Sequence, residues 1–323
     1  MNSEIELDSI IEAINRAESI GIFTHVSPDG DAIGSSLGLY LGLKQLKKNV
    51  DVIVDEYSKC FNFLPNLEDI KLKGEKSYDL AIAVDCATKG RLFDTNNSFD
   101  SSNVTVSIDH HSSNTYFANF NYVEGSSPAA SKTLIKILKR LGVSINVDIG
   151  TCLMAGIITD SGGFRYNTVD DETFEFAATM LDVGVDISDI YYRTFDVKTR
   201  AQFELSRIAF DRLKFYSKNR IALTYVTLSD MRKVNAQIGD HEGIVNVGRN
   251  IEGVDVSIFL REDVDGTYKV SLRSNDNVNV SDIAEIFDGG GHDRASGCTM
   301  KCSLEEAIKI LVKETTKRLW MEY

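Results

Sequence analysis

SIGIFTHVSPDGDAIGSSLGLYLGLKQLKKNVDVIVDE, residues 19–56, reads as an apolar strand, a tight SPDG turn, a helix pattern from Asp31 to Lys48 and a second strand. The alternation continues outward from it. YDLAIAVD (78–85) and NVTVSIDHH (103–111) are two further strands, and SSPAASKTLIKILKRLG (126–142) has Ser and Pro at its start and Gly at its end, as a capped helix does. Val/Ile-rich strands alternating with helices predict an α/β fold, a doubly wound, mostly parallel sheet covered on both faces. From about residue 170 the pattern is helical and charged, and KTRAQFELSRIAFDRLKF (198–215) reads as one long connecting helix. After it the style changes to IALTYVT (221–227), VDVSIFLRED (254–263) and TYKVSLRS (267–274), the last two joined by an Asp265–Gly266 hairpin turn. The expected organisation is a first domain over 1–195, a linker helix over 196–214 and a smaller α/β domain over 215–323.

Composition narrows the partners. The chain has 323 residues, enough for two cores, and carries 48 acidic against 35 basic side chains, a net charge of −13. Proteins that track long nucleic acids gain affinity by neutralising phosphates with a basic stripe, and no such run of Lys or Arg occurs. No apolar run approaches the ~20 residues that span a bilayer. The acidic start, MNSEIELDSIIEAINRAES, reads as an amphipathic helix rather than a signal peptide. Five scattered cysteines without a CxxC pair favour reduced thiols and a cytoplasmic location.

The chemistry gathers at strand ends. His25 ends the first strand, with Asp29 and Asp31 in the following turn; Asp85 ends the third, and Asp109, His110 and His111 end the fourth. Ligands of a doubly wound sheet bind beyond the carboxyl ends of its strands, so these clusters are expected to converge. Asp160 arrives from a further segment, DIGTCLMAGIITDSGGF, where an apolar helix stops at an aspartate and a Gly–Gly loop. Carboxylates mixed with a few imidazoles suit a pair of divalent cations, which can share a bridging carboxylate. Four of the five histidines (His25, His110, His111 and His292) lie in these clusters or in GGGH; His241 stands apart and reads as a surface residue. In the second half, a helix pattern at 280–287 runs into DGGGH, where Gly289, Gly290 and Gly291 would let backbone N–H groups converge on an anion beside His292. Arg273, in SLRS, offers a planar fork for phosphate. Ser131 could reach a phosphate or bond its own helix.

HVSPDGDA, the strand-ending Asp85, DHH at 109–111 and ITDSGGF at 158–164 resemble, in order, the four motifs of the DHH phosphoesterase family. The second half resembles the DHHA1 domain through EGIVNVGRNIEGVDVSIFLRED, SLRS and GGGHDRASG. The resemblance covers essentially the whole chain. It implies His25 and Asp29 on one metal, Asp31, His110 and Asp160 on the other, and Asp85 bridging, with manganese the expected ion of both sites. It implies that Asp109 orients its neighbours, that His111 faces the substrate phosphate, and that Arg273, Gly289, Gly290, Gly291 and His292 bind substrate. Stand-alone chains of this size resemble the group that degrades very short RNAs to mononucleotides and removes the 3′-phosphate of 3′-phosphoadenosine 5′-phosphate (pAp). Expected partners are therefore pAp, pApA and RNAs of two to five nucleotides, with no long duplex and no membrane, and with room for a homodimer. The rival readings are a phosphodiesterase for cyclic di-AMP or pApA, and a non-catalytic nucleotide sensor. A sensor would be marked by a missing ligand, and all six are present.

Overall fold

A computed structural model describes residues 3–237, 239–264, 266–275 and 278–320, apart from the side chains of Ser3, His292 and Trp320. Asp265, half of the expected hairpin turn, lies outside the described residues. The chain divides into two compact units, Met1–Val197 and Lys198–Tyr323.

In the first unit the apolar runs become β1 (Ser19–Phe23), β2 (Asn49–Ile53), β3 (Ile70–Lys71), β4 (Leu80–Val84), β5 (Val104–Asp109) and β6 (Phe120–Val123). All pair in parallel, in the order β3-β2-β1-β4-β5-β6. Both faces are covered, which is why the central strands β1 and β4 are apolar almost throughout. Ile20, Ile22, Ile82 and Ile108 join one core. Phe23, Ala81 and Ala83 join the other with Phe99, whose ring meets Phe23 edge-on at 6.0 Å. Each of the Ile and Phe side chains, fully buried, contributes about 1.5–3 kcal/mol. Around the sheet run α1 (Ser3–Arg16), α2 (Gly30–Gln45), α3 (Ser98–Ser101), α4 (Ala130–Arg140), α5 (Val147–Asp160), α6 (Asp171–Asp182) and α7 (Ile187–Tyr191).

Helix α2 carries glycines at 30, 34, 38 and 42, one per turn. A Cβ at Gly34 would lie 2.4 Å from the Cys152 carbonyl oxygen of α5, so only glycine allows this approach. The close contact brings Asp31, in the first turn of α2, up to the end of α5. Helix α4 begins later than its Ser–Pro signal suggests, at Ala130, and Ala129 gives no side-chain cap. Its first amides are satisfied instead by Asp31. At the other end Gly142, with φ +76°, closes the helix as expected.

The second unit opens with α8 (Arg200–Asp211), capped by Thr199, which accepts from Gln202 N–H. The helix is shorter than the 198–215 reading, because Lys214–Tyr216 leaves it to pair with the next strand. A mixed sheet follows, of β7 (Lys214–Tyr216), β8 (Ile221–Val226), β9 (Val256–Glu262), β10 (Thr267–Ser274), β11 (Gly290–His292) and β12 (Ala295–Lys301), ordered β11-β12-β10-β9-β8-β7. Helices α9 (Leu228–Lys233), α10 (Ile244–Arg249), α11 (Ser281–Glu285) and α12 (Leu304–Trp320) complete it.

Candidate metal centre

The order of the first sheet reverses between β1 and β4, which are neighbours although β2 and β3 intervene in sequence. Side chains beyond the carboxyl ends of those two strands face one crevice. His25 follows β1 and Asp85 follows β4, with Asp109 closing β5 beside them. Residues 24–26 leave the parallel ladder and pair with 91–93, with Val26 N–H donating to Arg91 O at 2.7 Å. Asp85 has φ +54°, a left-handed conformation that aspartate tolerates better than most residues.

Three groups of ligand atoms come together, each with its atoms within 4.8 Å of one another: His25, Asp29 and Asp85; Asp31, His110 and Asp160; and Asp85, Asp109, His110 and His111. Asp85 belongs to two of them. Its Oδ2 lies 3.7 Å from His25 Nε2, and its Oδ1 lies 3.4 Å from His110 Nε2. Asp160 Oδ2 approaches His110 Nε2 to 3.0 Å, Asp31 Oδ2 lies 3.9 Å from it, and Asp29 Oδ1 lies 4.0 Å from His25 Nε2.

Local hydrogen bonds aim each group. His25 Nδ1–H donates to Val26 O at 2.9 Å and His110 Nδ1–H to Ser127 O at 3.1 Å, so in both neutral rings the Nε2 lone pair points at the carboxylates. Asp29 caps α2, accepting from the N–H groups of Asp31 and Ala32 with Oδ1. Asp31, buried with no exposure, accepts from Ala130 N–H at 2.6 Å and Ser131 N–H at 3.0 Å. It thereby caps α4 from 99 positions away, and the dipole of that helix favours its negative charge. Ser131 is fully buried on the same side: a Cβ at Gly156 would lie 2.0 Å from its Oγ and 2.4 Å from Asp31 Oδ1. Its hydroxyl thus packs at the Asp31 carboxylate, which neither expectation for Ser131 foresaw.

The donor set fits cations. Asp85 Oδ1 is buried and finds no donor in good geometry among the described residues, although His110 Nε2 is near. Burial, then the charges of Asp85 and Asp160, push Asp31 well above the usual carboxylate range. Burial also opposes the charge of Asp85, but the imidazoles of His110, His25 and His111 outweigh it and hold Asp85 well below that range. Burial pulls His25 down, yet its hydrogen bond with Asp85 and the charges of Asp29 and Asp85 hold it at about 9. His110 is likewise driven up, burial being outweighed by Asp160 and Asp85. The crowded carboxylates thus draw protons onto His25 and His110, and divalent ions would take the place of those protons, ligated by the neutral rings and the carboxylates.

Asp109, fully buried, is held differently. It accepts from Asn114 Nδ2–H at 2.6 Å, from its neighbour's amide, His110 N–H, at 2.8 Å, and from His111 Nδ1–H at 2.8 Å. The His111 ring is thereby fixed with Nε2 directed away from Asp109. Asn114 escaped the sequence reading, where it looks like an ordinary turn residue. Asn114→Ala should leave Asp109 a hydrogen bond short and lower kcat/KM by about 10- to 100-fold, with metal content kept. Turnover at wild-type level in steady-state kinetics would remove Asn114 from this role.

In the second unit Arg273 is half-buried on β10, and its Nη1 donates to Leu272 O at 2.9 Å. The β-register sets Arg273 opposite Ala295, and Ala295 opposite His292, one row across three strands. The side chain of His292 lies outside the described residues. Gly290 and Gly291 do not form the expected nest of convergent N–H groups, because β11 is an extended edge strand paired antiparallel with β12. Glycine is required for close approach: a Cβ at Gly289 would meet Gly297 O at 2.3 Å. His241 is not on the surface as read. It is half-buried, and burial, aided by the charge of Arg261, pushes it down to about 4. Among the described residues no helix is long and apolar enough to cross a membrane.

Residues 19–157 match the N-terminal domain of the DHH family and residues 218–319 match the DHHA1 domain. The chain is similar to the bifunctional oligoribonuclease and PAP phosphatase NrnA of Thermus thermophilus, with 31% identity across 96% of this chain and 93% of that one. It is similar to the Mycoplasma genitalium protein of the same description, with 29% identity across 95% and 98%. Among solved structures it resembles an exopolyphosphatase-related protein from Bacteroides fragilis, with a TM-score of 0.88, 31% identity and 97% coverage of both chains.

Proposed function

From the fact that the chain belongs to the DHH family and carries a DHHA1 domain, we propose that it is a two-metal phosphoesterase that hydrolyses very short oligoribonucleotides and removes the 3′-phosphate of pAp. The observation that carries the reading is the pair of His/carboxylate groups that flank Asp85 at the switch point of the sheet. The description of the Thermus thermophilus relative, which matches this chain almost end to end, supports the substrate class.

His25 and Asp29 would hold one ion and Asp31, His110 and Asp160 the other, with Asp85 shared between them. Bound there, two divalent ions lower the pKa of a water and neutralise phosphoryl oxygens during in-line displacement. The protein's own groups do the rest. Asp109 holds His111 Nδ1–H, which fixes the ring so that Nε2–H of the imidazolium would donate to a phosphate oxygen or to the leaving ribose oxygen. The new P–O bond forms to water, the bond to the ribose oxygen breaks, and that oxygen takes a proton. In the second unit Arg273 and the β11 edge, with His292, would bind the substrate away from the reacting phosphate.

Manganese is the proposed ion, since mixed imidazole and carboxylate ligands suit it better than magnesium, which prefers oxygen and keeps its water. Protein stripped by chelator should recover more activity with Mn²⁺ than with Mg²⁺; equal recovery would speak against this ligand assignment. The substrate class is tested by comparing kcat/KM for pAp, pApA, cyclic di-AMP and RNAs of two, five and fifty nucleotides. Dinucleotides and pAp should lead and the fifty-nucleotide strand should trail. Preference for cyclic di-AMP would move the assignment to the rival phosphodiesterase, and equal rates on short and long RNA would overturn it.

A further inference from the structure

Just beyond Asp160 the chain makes an unusual turn. Gly162, Gly163 and Phe164 have φ of +60°, +72° and +62°, three left-handed residues in succession. Two are glycines, but a bulky side chain is a rare occupant of that region. The turn is held by Gly163 N–H donating to Ile158 O at 2.8 Å and Phe164 N–H donating to Ser161 Oγ at 2.9 Å. A residue strained in this way persists only where its surroundings over-determine it, and such strain clusters at functional sites.

Its consequence is where the ring goes. Phe164 packs on the core with one side and stacks on Phe174 with the other, the rings 5.4 Å apart and inclined by 22°. Phe174, in the first turn of α6, is 57% exposed. The stack is tied to the metal centre by two routes. Phe164 lies four positions after Asp160, at most about 14 Å of chain even if extended. Independently, α4, whose first amides grip Asp31, sends buried Lys132 to Asp170 at 2.6 Å, and Asp170 caps α6 by accepting from Thr173 N–H. Phe174 is the next residue.

We infer that Phe174, backed by Phe164, is a stacking platform for a nucleobase of the substrate whose phosphate is processed at the metal centre. This rests on the phosphoesterase reading above. The occupant is a base rather than a phosphate because what Phe174 itself presents is an exposed apolar ring, the exposed side chains flanking it on α6 (Asp171 and Glu175) are acidic, and Lys132 is already engaged by Asp170 and Glu172. A flat aromatic face accepts any base, which suits an enzyme for short RNAs of mixed sequence.

The test uses Phe174→Ala, Phe174→Leu and Phe174→Trp in the full chain, with diadenosine dinucleotide and the same dinucleotide lacking one base. Phe174 is exposed, so none of the three should disturb the fold. Phe174→Ala is expected to lower kcat/KM on the intact dinucleotide by roughly 5- to 100-fold, mainly through KM, with Phe174→Leu intermediate and Phe174→Trp near wild type. One of the two abasic variants, the one lacking the stacked base, should be hydrolysed equally by wild type and Phe174→Ala. If wild type cleaves the dinucleotide and Phe174→Ala matches it, the platform is overturned while the phosphoesterase stands. If wild type cleaves no nucleotide, the phosphoesterase reading fails and the platform is judged on calorimetric binding of AMP. Phe174→Ala should then weaken AMP by the same factor, and unchanged AMP affinity overturns it.

Discussion

Asp85→Asn is expected to lower kcat/KM on a dinucleotide by about a thousandfold or more and to cost the protein at least one metal ion. The two oxygens of Asp85 face different imidazoles, His110 at 3.4 Å and His25 at 3.7 Å, so a single side chain serves both halves of the centre. Asparagine keeps its size and shape and accepts the left-handed backbone, φ +54°, as readily as aspartate. What it loses is the charge, and one anionic oxygen becomes an N–H donor pointed at a ring nitrogen. Metal ions supply several kcal/mol of charge stabilisation in such transition states, and about 4 kcal/mol corresponds to a thousandfold. Elemental analysis, circular dichroism and kinetics on one preparation decide the matter. A folded variant with full metal content and near-normal turnover would exclude the sharing of Asp85.

Much of this site is legible before any coordinates, for a physical reason. In a parallel sheet, function sits where strands end, so polar residues that stop apolar runs are conspicuous: His25 after SIGIFT, Asp85 after LAIAV, Asp109–His111 after VTVSI. The supporting bonds are invisible because they join residues distant in sequence. Nothing around Asp31 announces that it caps a helix beginning at Ala130, and nothing around Asn114 announces Asp109 as its acceptor. The strands β3 and β6 are too short to show a pattern, with two and four residues. The local backbone at the triple glycine also depends on a distant partner. Convergent amides need alternating backbone hands, but the small residues of ASGCTMK form β12, and Gly290 and Gly291 pair with it as an edge strand. The helix read at 198–215 ended early because pairing of Lys214–Tyr216 with β8 outweighs helical propensity.

Arg273→Ala is expected to separate the labours of the two units. Arg273 lies in the Lys198–Tyr323 unit, whereas every candidate metal ligand lies in Met1–Val197. The substitution should therefore leave manganese content unchanged. Its neighbours make it a substrate-binding candidate: it stands on β10 in register with Ala295 and, through it, with the GGGH segment. A guanidinium gives phosphate a charge-assisted, forked hydrogen bond, and losing one such bond costs about 2–4 kcal/mol, roughly 30- to 1000-fold in kcat/KM. Because binding far from the reacting atom also positions that atom, kcat should fall along with the rise in KM. Bis-p-nitrophenyl phosphate carries no second nucleotide for Arg273 to hold, so its slow hydrolysis should persist. Arg273→Lys keeps the charge but not the fork and should recover only part of the loss. Truncation in β10 also removes packing, so denaturation of the variant must be compared with wild type; half-burial of the side chain predicts a small change. The diagnostic is the ratio of the two activities. If Arg273→Ala lowers dinucleotide and generic-ester cleavage by the same factor, or lowers metal content, then Arg273 supports the catalytic centre itself rather than holding the remainder of the substrate.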